Sequence, residues 1–175
     1  DAGGAVDALH ILVSGDVEAP LADLIAHLLQ ERALTSNPPV KLALKNAILA
    51  LRHTARFFDA TPIAIAFTAP VAGAVVNFMP AISFTLTDTL SGPDPTTRKL
   101  TALSSQGAMT DLTPLTAVAL DDQLNGVVTI TASGIPPETL QDGFLTMLAS
   151  GSDFAGNTPS TAQRNIVLDR AAPQV

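Results

Sequence analysis

Ser152-Asp153-Phe154-Ala155-Gly156-Asn157 is the stretch whose reading decides the fold. Asp153 is a short acceptor suited to closing a turn on its own backbone, and Gly156 and Asn157 are the residue types that take left-handed angles. Just before it, Leu145-Thr146-Met147-Leu148-Ala149 alternates apolar and polar side chains, the period of a half-buried strand. The same alternation appears in Ile82-Ser83-Phe84-Thr85-Leu86 and Val128-Thr129-Ile130-Thr131. Turn chemistry recurs at Ser91-Gly92-Pro93-Asp94-Pro95, Asn125-Gly126 and Asp142-Gly143. The spacing predicts seven or more strands, at 63–68, 81–87, 98–104, 115–120, 126–132, 144–150 and 163–168. They suit a mostly β chain folded as an antiparallel sandwich.

Before Thr61-Pro62 the period changes to that of helices. Over 39–58, Val40, Leu44, Ala47, Ile48, Leu51, Ala55 and Phe58 fall on one face, with Asn37 as N-cap and Pro38-Pro39 in the first turn. Lys41, Lys45, Arg52 and Arg56 are read as lying off that stripe. Over 17–33, Leu21, Leu24, Ile25 and Leu28 form a second stripe, and the short Thr35-Ser36-Asn37-Pro38 link makes the two helices antiparallel neighbours. Residues 5–13 suit a helix or a strand, and a short third helix is preferred because Ser14-Gly15 could end it. Expected organisation is therefore a helical segment at 1–60 and a β-sandwich at 62–175 ending in a linker to a next module.

Composition narrows the functions. Hydrophobic residues make up 47% and charged ones 14%, so a packed core is expected rather than disorder. Seven Phe with neither Trp nor Tyr leave little for the stacking platforms that single-stranded nucleic acids use. A formal charge of −7 opposes phosphate binding. The lack of cysteine excludes disulfides and thiol chemistry. No apolar run reaches the roughly 20 residues of a membrane-spanning helix. Asp1 reads as a mature N-terminus or an excerpt.

From 62 to 175 the chain resembles bacterial Ig-like repeats. The resemblance rests on Pro62-Ile63-Ala64-Ile65, Pro70-Val71-Ala72-Gly73, Asp88-Thr89-Leu90-Ser91-Gly92, Leu140-Gln141-Asp142-Gly143, Asp153-Phe154-Ala155-Gly156-Asn157 and Val167-Leu168-Asp169 linked to Pro173. It departs at Leu145, where such repeats carry a tyrosine whose hydroxyl ties to nearby backbone. The resemblance implies an Ig-like sandwich serving as a spacer in bacterial surface or secreted proteins. The helical segment matches no family beyond a faint likeness of Gly15-Asp16-Val17 to small helical modules of secreted bacterial proteins.

Candidate chemistry is sparse. Asp153, Asn157 and Asp88 or Asp94 could offer oxygens to calcium at a module junction. The preferred alternative is an Asx-type turn, since no dense Asp cluster lies nearby in sequence and no cofactor is expected. Asp121-Asp122 would point to opposite faces of a strand. His10, His27 and His53 share no metal-ligand spacing, and no Ser or Gly pattern marks a nucleophile or a phosphate loop. Asp142, Gly143, Asp153, Gly156, Asn157 and Asp169 are expected to serve structure, in turns and the exit linker.

The helical stripes need a partner, either the sandwich with a third helix or a neighbouring module or subunit. The expectation is a non-catalytic bacterial extracellular spacer able to self-assemble. A ligand-binding adhesin module and an accessory domain of a secreted hydrolase are the alternatives.

Overall fold

The computed structural model describes residues 17–171. The helix expected over 5–13, His10, Gly15-Asp16 and the linker from 172 lie outside the described residues. Two helices come first, α1 (Glu18–Leu34) and α2 (Pro38–Ala55). Nine strands follow: β1 (Ala64–Ala69), β2 (Ala74–Val76), β3 (Ile82–Thr87), β4 (Pro93–Ser104), β5 (Met109–Asp111), β6 (Thr116–Asp122), β7 (Val127–Ala132), β8 (Gly143–Asp153) and β9 (Ser160–Leu168). All seven expected strands are present, and β2 and β5 are additional. No described helix is long and apolar enough to cross a membrane.

The strands form two sheets, ordered β1-β3-β7-β6 and β2-β9-β8-β4-β5. Pairing is antiparallel except between β2 and β9, which run parallel. The wholly antiparallel expectation fails there because the chain crosses from the first sheet to the second at Pro70–Gly73 without reversing, so β2 meets β9 in the same direction. Gly73 N–H anchors the crossing on Asn165 O at 2.8 Å.

Alternation dictates the core. Ile82, Phe84 and Leu86 of β3 and Val128, Ile130 and Ala132 of β7 are fully buried against Leu100, Leu145, Met147, Ala149 and Ile166 of the other sheet. Each such aliphatic side chain contributes about 1.5–3 kcal/mol. Phe67 and Phe84 meet with ring centroids 5.7 Å apart. Leu145 packs into this core at 1% exposure.

The helical hairpin packs on the end of the sandwich rather than standing apart. Ile25, Ile48 and Ala55 bury against Leu90, with Leu124 alongside, both residues lying on turns of the sandwich. Three helical expectations are corrected. Leu24, Val40 and Phe58 are exposed at 44%, 41% and 40%, so the buried stripe is narrower. α2 stops at Ala55 instead of 58, where Phe57 and Phe58 N–H take the i→i−3 carbonyls of Thr54 and Ala55 and the last turn tightens. Arg52, expected on the solvent side, is buried at 4% exposure. It follows Ile48 by four residues and precedes Ala55 by three, which places it on the docking face.

Candidate functional site

Three turns of the sandwich converge where the hairpin docks: 88–92, 122–126 and 153–157. Sequence places a small or acidic residue at each, and close backbone approach follows. Gly92 O accepts Phe154 N–H at 3.0 Å, and Asp88 N–H donates to Gly126 O at 2.9 Å. A Cβ on Gly126, at φ +69°, would lie 1.9 Å from Asp88 O.

Arg52 enters this junction from α2. Its Nη1 donates to Asp88 O at 3.3 Å and Leu90 O at 3.2 Å, and its Nη2 donates to Leu124 O at 3.3 Å. One guanidinium fork thus ties helix to two turns, a geometry lysine could not reproduce. Burial holds Arg52 below the ordinary guanidinium range, with Asp88 and Asp122 opposing that shift. Beside it, the Arg56 guanidinium lies 4.0 Å from the Phe154 ring centroid.

Asp59, Asp88 and Asp153, all buried, each bring a carboxylate oxygen within 4.8 Å of the others. No dense Asp cluster lies near Asp153 in sequence, but the turns fold together acids remote in the chain. Asp59 Oδ1 accepts Thr61 N–H at 2.9 Å and its Oδ2 accepts Ser91 N–H at 3.1 Å. Asp88 accepts Leu90 N–H at 2.7 Å on Oδ1, and Ser91 Oγ at 2.7 Å and Gly92 N–H at 2.6 Å on Oδ2. Asp153 accepts Asn157 N–H at 3.1 Å and Asn157 Nδ2 at 2.9 Å. Burial raises the Asp88 carboxyl above the usual carboxylate range; the bonds from Leu90 and Ser91 pull it back, and the neighbouring Asp59 charge pushes it up again.

Of the calcium candidates, the structure unites Asp88 and Asp153 but leaves Asp94 out of the cluster. Asp94 Oδ1 is taken by Thr96, whose N–H and Oγ1 lie 2.9 and 2.6 Å away. Asn157 is a donor here: its Nδ2 reaches Asp59 O, Thr61 O and Asp153 Oδ2. At this spacing each carboxylate brings one oxygen to the cluster, and three ligand atoms fall short of the roughly six to eight that calcium takes. All six of their oxygens already accept a hydrogen bond, and this serves to lock turns.

Of the expected turn residues, Gly143 and Asp153 are the terminal residues of β8, while Asp142, Gly156, Asn157 and Asp169 lie outside the strands. Gly156 has φ +79°, but no described non-glycine residue has a positive φ, so Asn157 acts through its side chain instead. Gly143 has φ +122°. Asp142 accepts the Arg170 guanidinium, which keeps its carboxyl below the usual range. Asp169 N–H donates to Val76 O at 2.8 Å, and its Oδ1 accepts Ala171 N–H. Asp122 accepts Asn125 Nδ2 at 2.6 Å, while Asp121 pairs opposite Val128 and is exposed. His27 and His53 are both exposed.

Sequence reasoning missed Asp59 and Arg52. The spacing 48, 52, 55 could have found Arg52; nothing local marks Asp59, whose partners lie 32 and 98 residues away.

No family model matches the chain, and no curated protein matches it. Among solved structures it is similar to an endo-beta-1,4-mannanase from Thermotoga petrophila, at 11% identity and TM-score 0.43. The match covers 78% of this chain and 25% of that chain, so it spans a quarter of the enzyme's length. Likeness at this level assigns neither a family nor an activity.

Proposed function

We propose that this chain is a non-catalytic structural spacer of a bacterial surface or secreted protein, in which a helical hairpin is fused rigidly to a β-sandwich of the Ig-like kind. The observation that carries the reading is the junction. There the two Nη atoms of buried Arg52 and the carboxylates of Asp59, Asp88 and Asp153 bond to backbone or neighbouring side chains of converging turns, while Arg52 Nε has no partner among the described residues. Such a junction transmits force and orientation between modules, and its partners are neighbouring protein modules or subunits. The surface location rests on the sequence resemblance to bacterial Ig-like repeats.

Pulling single molecules from their two ends tests this. A spacer of this build unfolds helices and sandwich in one event. Separate events at distinct forces would overturn rigid fusion, and turnover of a polysaccharide by the purified chain would overturn the non-catalytic reading.

A further inference from the structure

β-Sheet edges expose unpaired backbone groups and are usually shortened, covered or charged. Among the described residues, three of the four sheet edges are short or covered. β2 and β5 are three residues each. β1 is covered: Arg164 donates to Phe67 O at 2.7 Å and Pro70 O at 2.8 Å, and Ser160 Oγ donates to Ile63 O. β6 differs. It is seven residues long and forms the outer strand of its sheet. Its ends are tied, Thr116 O by Arg98 and Asp122 O by Asn125 N–H. Among the described residues, none hydrogen-bonds to the side of Ala117–Asp121 that faces away from β7. Val118 and Leu120 are exposed at 39% and 53%.

We infer that β6 is an interaction surface for a second copy of this chain, pairing antiparallel with its own β6. The strand is self-complementary. Thr116, Val118 and Asp121 oppose Ala132, Ile130 and Val128, which are buried, so they lie on the core side of the sheet. Ala117 and Leu120 oppose Thr131 and Thr129 and lie on the outer side, with Ala119 the extra residue of a bulge. Setting Thr116 against Asp121 of the second copy, and Ala117 against Leu120, matches face to face in the flanking pairs and brings the two bulges, Val118 with Ala119, together at the centre. That register sends the two Asp121-Asp122 pairs to opposite ends, with each Asp121 opposite a Thr116, whereas a parallel pairing would stack them. The pair joins two four-stranded sheets into one of eight strands and covers Leu120. Because each copy carries a formal −7, added salt strengthens the association.

Sedimentation equilibrium of the full chain, up to about 1 mM and at low and high salt, tests this. The wild type is expected to rise from 18.0 kDa toward twice that mass, more readily at high salt. Leu120→Lys, at an exposed position that leaves the melting curve intact, is expected to weaken association at least tenfold, and Ala119→Pro to remove it. Phe144→Lys, on the outer face of the other sheet, is expected to leave it unchanged. A wild type that stays at one chain mass throughout overturns the pairing, as does a dimer indifferent to Leu120→Lys or equally lost with Phe144→Lys. The pairing is independent of the spacer reading, which a strict monomer would leave standing.

Discussion

Arg52 on α2 donates to the main-chain carbonyl of Asp88, while the Asp88 carboxylate turns onto Leu90, Ser91 and Gly92. The cation and the acid are therefore neighbours that serve different backbone groups. Removing the guanidinium leaves the carbonyls of Asp88, Leu90 and Leu124 without their donor in a buried junction. Arg52→Met keeps the stem and deletes the fork, and it is expected to cost about 3 kcal/mol in denaturant unfolding. A change within about 0.5 kcal/mol would show that the fork holds nothing.

Gly126 separates space from conformation as causes of strain. Its φ is +69° and its Cβ position is filled by Asp88 O, so Gly126→Ala must both adopt a left-handed angle and push two turns apart. Gly73 has a similar φ of +73° with nothing within 4 Å of its Cβ position. Gly73→Ala is expected to cost about 1–2 kcal/mol, and Gly126→Ala about 2 kcal/mol more, by the same unfolding assay. Equal costs would mean that the turns do not abut.

The buried Asp88 carboxyl gives stability a distinctive pH dependence. Its folded pKa lies above its unfolded value, so the folded chain binds its proton more tightly. The resulting contribution is fully present below the unfolded pKa and is lost as pH rises through the folded one. Asp111 and Asp142 have lowered pKa values and act oppositely, contributing above their unfolded values and losing that as pH falls. Asp88→Asn removes the Asp88 contribution to this pH dependence and leaves those of Asp111 and Asp142 in place. The stability of wild type relative to Asp88→Asn is expected to grow as pH drops from about 7 toward 4. A difference that is flat or shrinks would contradict the raised carboxyl.

Arg56 over Phe154 offers a smaller probe of the same junction. Phe154→Leu keeps apolar bulk but removes the aromatic face, and it is expected to cost about 1 kcal/mol. The loss should vanish when Arg56 is already Gln, which a double-mutant cycle reads directly.

The sandwich was legible because alternation and turn chemistry are local: Ile82 to Leu86 announces its buried face in five residues. The bulk of the hairpin was legible for the same reason, through period 3.6. The junction was not. Arg52 has the residue type of a solvent face but the position of a buried one, and only the carbonyls of remote turns make its burial affordable. Asp59 joins Asp88 and Asp153 through loops that no window spans. β2 escaped notice because three residues show no period, and its parallel partner is set by topology.

Native-state hydrogen exchange tests the central claim, that hairpin and sandwich form one cooperative body, most directly. Amides of Ile48, Arg52 and Ala55 are expected to open with the same free energy and denaturant slope as those of Phe84, Ile130 and Met147. Helix amides that exchange through a lower-energy opening, while the strand amides stay protected, would contradict it.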